Sequence, residues 1–267
     1  MLARRRSRVW FLHCLISAFL PLLIGCTPAQ PPAGPTADGK SDPAKVRSAD
    51  VSILFVGNSH TIHHDLPDLV CKMIRFRHPE KTVYSHVAFV PFLDAATHDS
   101  PCREEIETRR WKFVVLQAQR ISVGGKHEYS RKEGIDIAKL AKERGAKVFF
   151  YSEWGLKDVA GDGARNEKIY REMADEAGVR VTPVNRAWDL ALSQRPDLPL
   201  HEPDGNHQSK LGAFLTACVL FERLTGESPA PLAAFPYAAA SEADRKFLVE
   251  AAVKALDHPL AGTTSEK

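Results

Sequence analysis

The chain has 267 residues, of which 44% are hydrophobic and 26% are charged, a composition that excludes a disordered chain, a collagen-like repeat and a multi-pass membrane protein. The formal net charge is +3, but four of the 36 basic residues lie in the first 25 positions, which contain no acidic residue. The remaining 32 basic and 33 acidic residues give the body a net charge of −1. No nucleic-acid partner is therefore expected.

The N-terminal segment 1–25 has the layout of a lipoprotein signal peptide. Four arginines precede an apolar run that is short for a membrane span. The run ends in Leu23-Ile24-Gly25-Cys26, which resembles the bacterial lipobox, whose cysteine carries a lipid and becomes the first mature residue. We expect an exported protein of the bacterial cell envelope, anchored to a membrane through Cys26. An ordinary signal peptide with an incidental cysteine is the alternative.

The next segment, 26–49, is rich in Pro, Ala and Gly and has no apolar period, so it is predicted to be a flexible linker that follows the lipidated cysteine. The folded domain is expected over 50–258 and a disordered tail over 259–267. Cys71 and Cys102 could form a disulfide in an oxidising compartment, or they and Cys218 are buried as small apolar residues.

Within the domain, short apolar runs alternate with segments of helical period. This alternation predicts a parallel sheet of about five strands that is covered on both faces, a three-layer α/β/α sandwich. The expected strands are 51–56, 82–89, 112–117, 147–152 and 179–184. The expected helices are 66–77, 101–110, 129–144, 164–177, 185–194, 208–225 and 241–256. Ligands of such sheets bind outside the carboxyl ends of the strands, so functional residues are sought there.

Two polar segments occupy the expected positions. Ser59 follows the first strand on a tight turn into a helix, where a serine is either a nucleophile or a helix cap. Asp204 and His207 lie three residues apart before the helix 208–225. In a turn, the carboxylate can hold one imidazole nitrogen and leave the other free for a hydroxyl. The alternative interpretation is a polar turn that caps this helix.

These residues resemble the motifs of the SGNH (GDSL-type) hydrolase superfamily over nearly the whole domain. Gly57-Asn58-Ser59 matches its first block, and Asp204-Gly205-Asn206-His207 matches its DxxH block. The segments LFVGNSHT, VVLQAQ and PDGNHQSKLGAFLTA are similar to a poorly characterised bacterial lipoprotein branch. The resemblance implies a flavodoxin-like sheet and a Ser59, His207 and Asp204 triad that acts without a cofactor.

The residues that would bind the oxyanion depart from the superfamily pattern. The sequence has Gln117 and Gln119 where the GxND block is expected, and a glutamine amide can make the same hydrogen bond as the asparagine. The second block has no glycine, and since Pro91 has no N–H, a backbone donor must come from Val90 or Phe92. Asn58 and the Ser59 amide are further candidates for contacts with substrate.

Three histidines follow the nucleophile, at His60, His63 and His64. His60 and His63 are expected to line the substrate cleft. A metal site needs a further ligand from elsewhere in the chain, and the sequence nominates none, so no metal is expected.

Together, these features predict an exported, lipid-anchored and monomeric serine esterase. The resemblance suggests short acyl esters, such as acetyl groups on carbohydrate, as the small-molecule or glycan substrate. The alternative is a catalytically weak or inactive module that binds glycans at the cell surface, which the altered oxyanion blocks favour.

Overall fold

A five-stranded parallel sheet forms the centre of the fold. The structure is a computed structural model and describes residues 39–119 and 128–257, which belong to one compact unit, 34–267. The strand order is β2-β1-β3-β4-β5, and all neighbouring strands are parallel. The strands are β1 (Val51–Gly57), β2 (Val83–Phe89), β3 (Phe113–Leu116), β4 (Lys147–Tyr151) and β5 (Arg180–Thr182). The predicted flavodoxin-like parallel sheet is confirmed.

The seven predicted helices are present with boundaries that differ by a few residues, and two short helices, at Pro43–Ser48 and Ser59–Ile62, were not predicted. In the described segments the helices are α1 (Pro43–Ser48), α2 (Ser59–Ile62), α3 (Leu66–Arg77), α4 (Pro101–Thr108), α5 (Lys132–Glu143), α6 (Asp162–Ala177), α7 (Val184–Gln194), α8 (Lys210–Thr225) and α9 (Glu242–Asp257). Short 3₁₀ turns occupy His63–Asp65, Leu93–Ala95 and Ala230–Ala234.

Each face of the sheet is covered by a different set of helices. Successive side chains of β1 alternate between the two faces: Ile53 and Phe55 pack in one apolar core, and Leu54 and Val56 pack in the other. The first core contains residues of α3, α7, α8 and α9, and the second contains residues of α1, α4, α5 and α6. All four β1 side chains are fully buried. The predicted three-layer sandwich is confirmed.

The structure corrects the predicted start of the domain at residue 50. Helix α1 lies inside the predicted linker, and its Val46 is buried in the second core. Ser41 Oγ donates to Glu105 Oε2 over 2.5 Å. The hydrophobic pattern does not predict this helix, because it buries only one side chain and so shows no helical periodicity. The local signals are Asp42 as the N-cap and Pro43 as the first helical residue.

Several predictions fall on residues that the structure does not describe. The signal peptide over 1–25, Cys26, the first part of the linker and the tail over 259–267 all lie outside the described residues. Within 39–119 and 128–257, no helix is long and apolar enough to cross a membrane. Cys71, Cys102 and Cys218 are free and buried, in agreement with the interpretation of these residues as small apolar side chains.

The order of the strands determines where a ligand can bind. Strand β1 lies between β2 and β3, so the chain crosses over in opposite directions on either side of it. A crevice forms at the carboxyl end of the sheet at such a reversal. The segments that follow β1 and β3 therefore meet at this crevice.

Candidate active site

The turn that carries Ser59 begins where β1 ends, at Gly57. A Cβ atom at Gly57 would lie 2.2 Å from Thr61 Oγ1 and 2.6 Å from Gln117 Oε1, so only glycine allows the chain to turn this closely. Asn58 then caps α2, and its side-chain oxygen accepts from the His60 amide over 3.1 Å. Ser59 is the first residue of α2 and is half-buried at the sheet edge.

The turn that carries Asp204 and His207 is closed by the aspartate itself. Asp204 Oδ1 accepts from the amides of Asn206 and His207, each over 2.9 Å. Gly205 has a φ of +68°, which favours glycine. A hydrogen bond with the His207 side chain, and then those from the two amides, hold the pKa of Asp204 well below its ordinary value. Asp204 therefore remains a carboxylate.

Ser59, His207 and Asp204 form one chain of hydrogen bonds. His207 Nδ1 lies 2.5 Å from Asp204 Oδ2, and His207 Nε2 lies 2.8 Å from Ser59 Oγ. A carboxylate can only accept, so Nδ1 carries the proton and donates it. In the neutral ring, Nε2 is then an acceptor for the Ser59 hydroxyl. This is the arrangement in which an imidazole can remove a proton from a serine.

His60 does not line a cleft, which corrects the prediction from the sequence. It is 2% exposed, and its Nε2 donates to the carbonyl of Asn206 over 3.2 Å. Trp154 Nε1 donates to the same carbonyl over 2.9 Å. Trp154 is itself buried and stacks on Trp188 with 4.3 Å between ring centroids. His60 and Trp154 thus hold the turn that carries His207 in place, through the carbonyl of Asn206.

Gln117 is fully buried and supports the nucleophile turn instead of facing a substrate. Its Oε1 accepts from the Asn58 amide over 3.1 Å and from Thr61 Oγ1 over 2.7 Å. Its Nε2 donates to Glu153 Oε2. The prediction that Gln117 binds the oxyanion is wrong, because both ends of its amide are occupied inside the protein.

Gln119 and Val90 are likewise engaged elsewhere. Gln119 is fully buried, and its Nε2 donates to the Tyr129 carbonyl over 3.0 Å. The Val90 amide donates to the Gly57 carbonyl over 3.0 Å, so it cannot serve an oxyanion. Among the described residues, no hydrogen bond joins either group to Ser59 or His207.

Other donors remain near the nucleophile. The amides of Ser59 and Phe92 find no acceptor within the described part of the chain. Asn58 Nδ2 donates one hydrogen to the Pro91 carbonyl over 2.9 Å, and its second hydrogen is left for another acceptor. The Ser59 amide lies at the first position of α2, where helix N–H groups point away from the helix.

The structure adds a residue that sequence reasoning missed, Glu202. Its Oε1 lies 2.6 Å from His64 Nε2, and the His63 ring stacks on His207 with 5.0 Å between centroids. Burial, followed by the nearby His64 and His207, lowers the pKa of His63. No signal in the sequence pairs Glu202 with His64, which lies 138 residues away.

A cavity of about 1070 Å³ opens beside these residues. His64 and Glu202 line it on the side of His207, whereas Ser59 and His207 themselves are not in its lining. The other lining side chains include two tryptophans and several carboxylates, namely Trp154, Trp188, Asp158, Asp162, Asp189 and Asp197. Its volume is at the upper end of the range for small-molecule sites.

No protein-family profile matches the sequence, and no curated protein is similar enough to count as a match. Solved structures do match. Axe2, an acetylxylan esterase from Geobacillus stearothermophilus that was solved as a catalytic mutant, has a TM-score of 0.56 at 12% identity, over 67% of this chain and 96% of that one. A DUF4886 family protein from Bacteroides uniformis has a TM-score of 0.53 at 16% identity, over 78% of this chain and 95% of that one.

A candidate SGNH hydrolase from Slackia heliotrinireducens has a TM-score of 0.51 at 20% identity, over 64% of this chain and 97% of that one. With its 2-1-3-4-5 parallel sheet and two helical layers, the described part of this chain has the SGNH hydrolase fold.

Proposed function

We propose that the protein is a serine hydrolase that cleaves a carboxylic ester. One observation carries the proposal: Ser59 Oγ, the His207 ring and the Asp204 carboxylate form a continuous chain, with separations of 2.8 and 2.5 Å. A helix cap or a polar turn alone would not need to align these three side chains. The fold that the chain shares with esterases adds support.

In this mechanism, Ser59 Oγ attacks the acyl carbon while His207 Nε2 takes the hydroxyl proton. Asp204 stabilises the imidazolium that forms. His207 then returns the proton to the departing alcohol as the ester bond breaks. Water, deprotonated by His207, attacks the acyl-enzyme, and the acid leaves as Ser59 regains its proton.

The oxyanion is bound by the Ser59 amide, which lies beside the attacking oxygen. We propose the second hydrogen of Asn58 Nδ2 as its partner, because Asn58 is half-buried, whereas the side chains of Gln117 and Gln119 are fully buried and the Val90 amide donates to the Gly57 carbonyl. The loss of one oxyanion donor typically costs roughly 10²–10³ in rate. An oxyanion hole of two donors is therefore consistent with a slow but real esterase.

The proposed substrate is a short acyl ester, such as acetyl, on a carbohydrate. The cavity beside the triad is larger than an acetyl group requires and would hold the alcohol part of the ester. The exposed carboxylates of Asp158 and Asp197 in its lining can accept hydrogen bonds from the hydroxyls of a carbohydrate.

We also propose that the protein is exported and anchored to a membrane of the cell envelope through a lipid on Cys26. The sequence of residues 1–26 supports this. Metabolic labelling with a fatty-acid analogue should mark the wild-type chain and not the Cys26→Ala chain. Equal labelling of the two chains would contradict the anchor.

The test of the hydrolase uses the full chain and an activated acetyl ester. Wild type should turn the ester over, and Ser59→Ala and His207→Ala should each reduce turnover by at least about 10⁴-fold. Ser193→Ala and His98→Ala are matched controls on the exposed surface and should leave turnover unchanged. Absence of turnover in a folded wild-type chain would instead favour the glycan-binding module.

A further inference from the structure

Three potential metal ligands converge between the triad and the cavity. One ring nitrogen each of His63 and His64 and a carboxylate oxygen of Glu202 all lie within 4.8 Å of one another. We propose that these residues bind a divalent transition-metal ion, and that Zn²⁺ fits them best. The proposal does not depend on ester hydrolysis at Ser59.

The backbone is bent in a way that brings the two histidines together. Consecutive side chains of a regular helix point about 100° apart. Here His64 has φ 55° and Asp65 has φ 51°, and the two imidazole centroids, of His63 and His64, are only 4.7 Å apart. Left-handed backbone is uncommon in residues other than glycine, and such residues gather at functional sites. The kink places the two imidazole rings side by side.

The segment that supplies Glu202 is held against the histidine segment by bonds that need no metal. Gln208 is fully buried, and its Nε2 donates to the His63 carbonyl over 3.0 Å. The Glu202 amide donates to the His207 carbonyl over 2.8 Å. The three ligands thus come from two segments that are already fixed to each other.

Two imidazole nitrogens and one carboxylate oxygen are a donor set that suits Zn²⁺, whereas Mg²⁺ and Ca²⁺ prefer oxygen ligands. At Zn–N and Zn–O distances of about 2.0–2.2 Å, tetrahedral ligand atoms lie about 3.3 Å apart. The 2.6 Å between His64 Nε2 and Glu202 Oε1 must widen slightly, and the longer separations must shorten. Rotation of these half-buried side chains can supply both movements.

Three protein ligands leave a fourth position on the ion for another molecule. His64 and Glu202 line the cavity, so an ion between them is accessible to whatever enters it. The ligand class that this position takes is an oxygen donor, such as water, a hydroxyl or a carboxylate. His63 also stacks on His207. A bound ion would therefore be separated from the proposed general base by the imidazole ring of His63.

The test measures zinc binding on the full chain without a polyhistidine tag, after treatment with a chelator. Titration against a chromophoric zinc chelator should give one zinc per wild-type chain. Glu202→Gln, which keeps the shape of the side chain, and His63→Ala should each bind zinc at least tenfold more weakly. Zinc should also raise the Tm of wild type more than that of either variant.

His78→Ala is the matched control, because His78 Nε2 lies 2.7 Å from Glu227 Oε1 in a similar pair that has no second histidine. It should bind zinc as wild type does. Ser59→Ala should also retain the zinc, which separates this proposal from the hydrolase. The proposal is overturned if wild type binds no zinc, or if Glu202→Gln and His63→Ala bind it as tightly as wild type.

Discussion

The segments that follow β1 and β3 lie side by side at the carboxyl edge of the sheet, but their polar side chains differ in burial and in hydrogen-bond partners. After β1, Ser59 is half-buried and its hydroxyl meets His207. After β3, Gln117 and Gln119 are fully buried, and their amides bind other protein groups. Position at the crevice is thus not sufficient for a functional role.

The hydrogen-bond partners explain this difference. Tyr170 reaches the β3 segment from α6, and its hydroxyl accepts from the amides of Ala118 and Gln119 over 3.1 and 2.8 Å. The same hydroxyl lies 3.4 Å from Glu153 Oε2, to which it can donate. Most buried polar groups find partners inside the protein, and the two backbone amides and the Gln117 side chain of this segment do so. The β1 segment keeps its serine available.

The largest effect is expected for Asp204→Asn, because Asp204 acts through His207 on Ser59 in the segment that follows β1. The substitution keeps the size of the side chain but removes the charge that orients His207 and stabilises its protonated form. We expect kcat to fall by up to roughly 10⁴-fold, with little change in Tm because the side chain is exposed. Steady-state kinetics of Asp204→Asn measure the fall in kcat. Asp136→Asn, on the solvent side of α5, is the control and should leave kcat unchanged.

Because the pKa of Asp204 is held below its ordinary value, any loss of activity in mild acid should not come from protonation of this group. Retention of more than a tenth of the wild-type kcat in Asp204→Asn would contradict the role of Asp204.

A smaller effect on activity but a large one on stability is expected for Gln117→Leu. The change leaves the Asn58 amide and the Thr61 hydroxyl without their acceptor and removes the donor to Glu153. We expect the free energy of unfolding to fall by about 2–4 kcal/mol, with a reduced kcat because the nucleophile turn loosens. Urea unfolding and kinetics measure the two effects.

Gln119→Leu is the matched change on the same segment. It removes one hydrogen bond to the Tyr129 carbonyl and should cost about 1 kcal/mol. If Gln119→Leu lowers kcat more than Gln117→Leu does, Gln119 and not Gln117 is coupled to the nucleophile.

Tyr170→Phe should affect stability alone. The hydroxyl serves two backbone amides, so its loss should lower the free energy of unfolding by about 1–3 kcal/mol. The kcat of the folded variant should stay close to that of wild type. A kcat as low as that of Gln117→Leu would show that the two segments do not act separately.

A modest effect, on stability alone, is expected at Glu167, a buried carboxylate on α6 that bonds to α7. Burial acts to raise its pKa, but hydrogen bonds from Arg186, Asn185 and Arg171 outweigh it and hold the pKa below the ordinary value of 4.5. A carboxyl group with a lowered pKa stabilises the fold above its unfolded-state pKa, and this contribution is lost as the pH falls through the folded-state value.

Wild type should therefore exceed Glu167→Gln in stability by about 1–2 kcal/mol near neutral pH, and the difference should shrink below about pH 4. Urea unfolding at a series of pH values measures it. A difference that grows as the pH falls would have the wrong sign.

The sequence predicts the sheet and the sandwich because the three central strands, β1, β3 and β4, are buried on both faces and read as apolar runs. It also places Ser59, Asp204 and His207 near one edge, because the ends of parallel strands share an edge. The missed helix α1 buries one valine, which leaves no periodic signal.

The partners of Gln117, Gln119 and Val90 could not be predicted, since the direction of a loop amide depends on contacts with distant segments. The Glu153 and Tyr170 groups that engage the β3 segment come from other parts of the chain. The pairing of Glu202 with His64 depends in the same way on a long-range contact. Local sequence specifies which groups reach the crevice but not which of them remain available.

The most direct measurement is covalent labelling of the full chain with a serine-directed phosphonate probe, followed by peptide mapping. If the chain of hydrogen bonds activates the hydroxyl, one label should appear on Ser59, and His207→Ala should abolish it. A folded wild-type chain that takes no label, or that carries the label on another serine, would contradict the account.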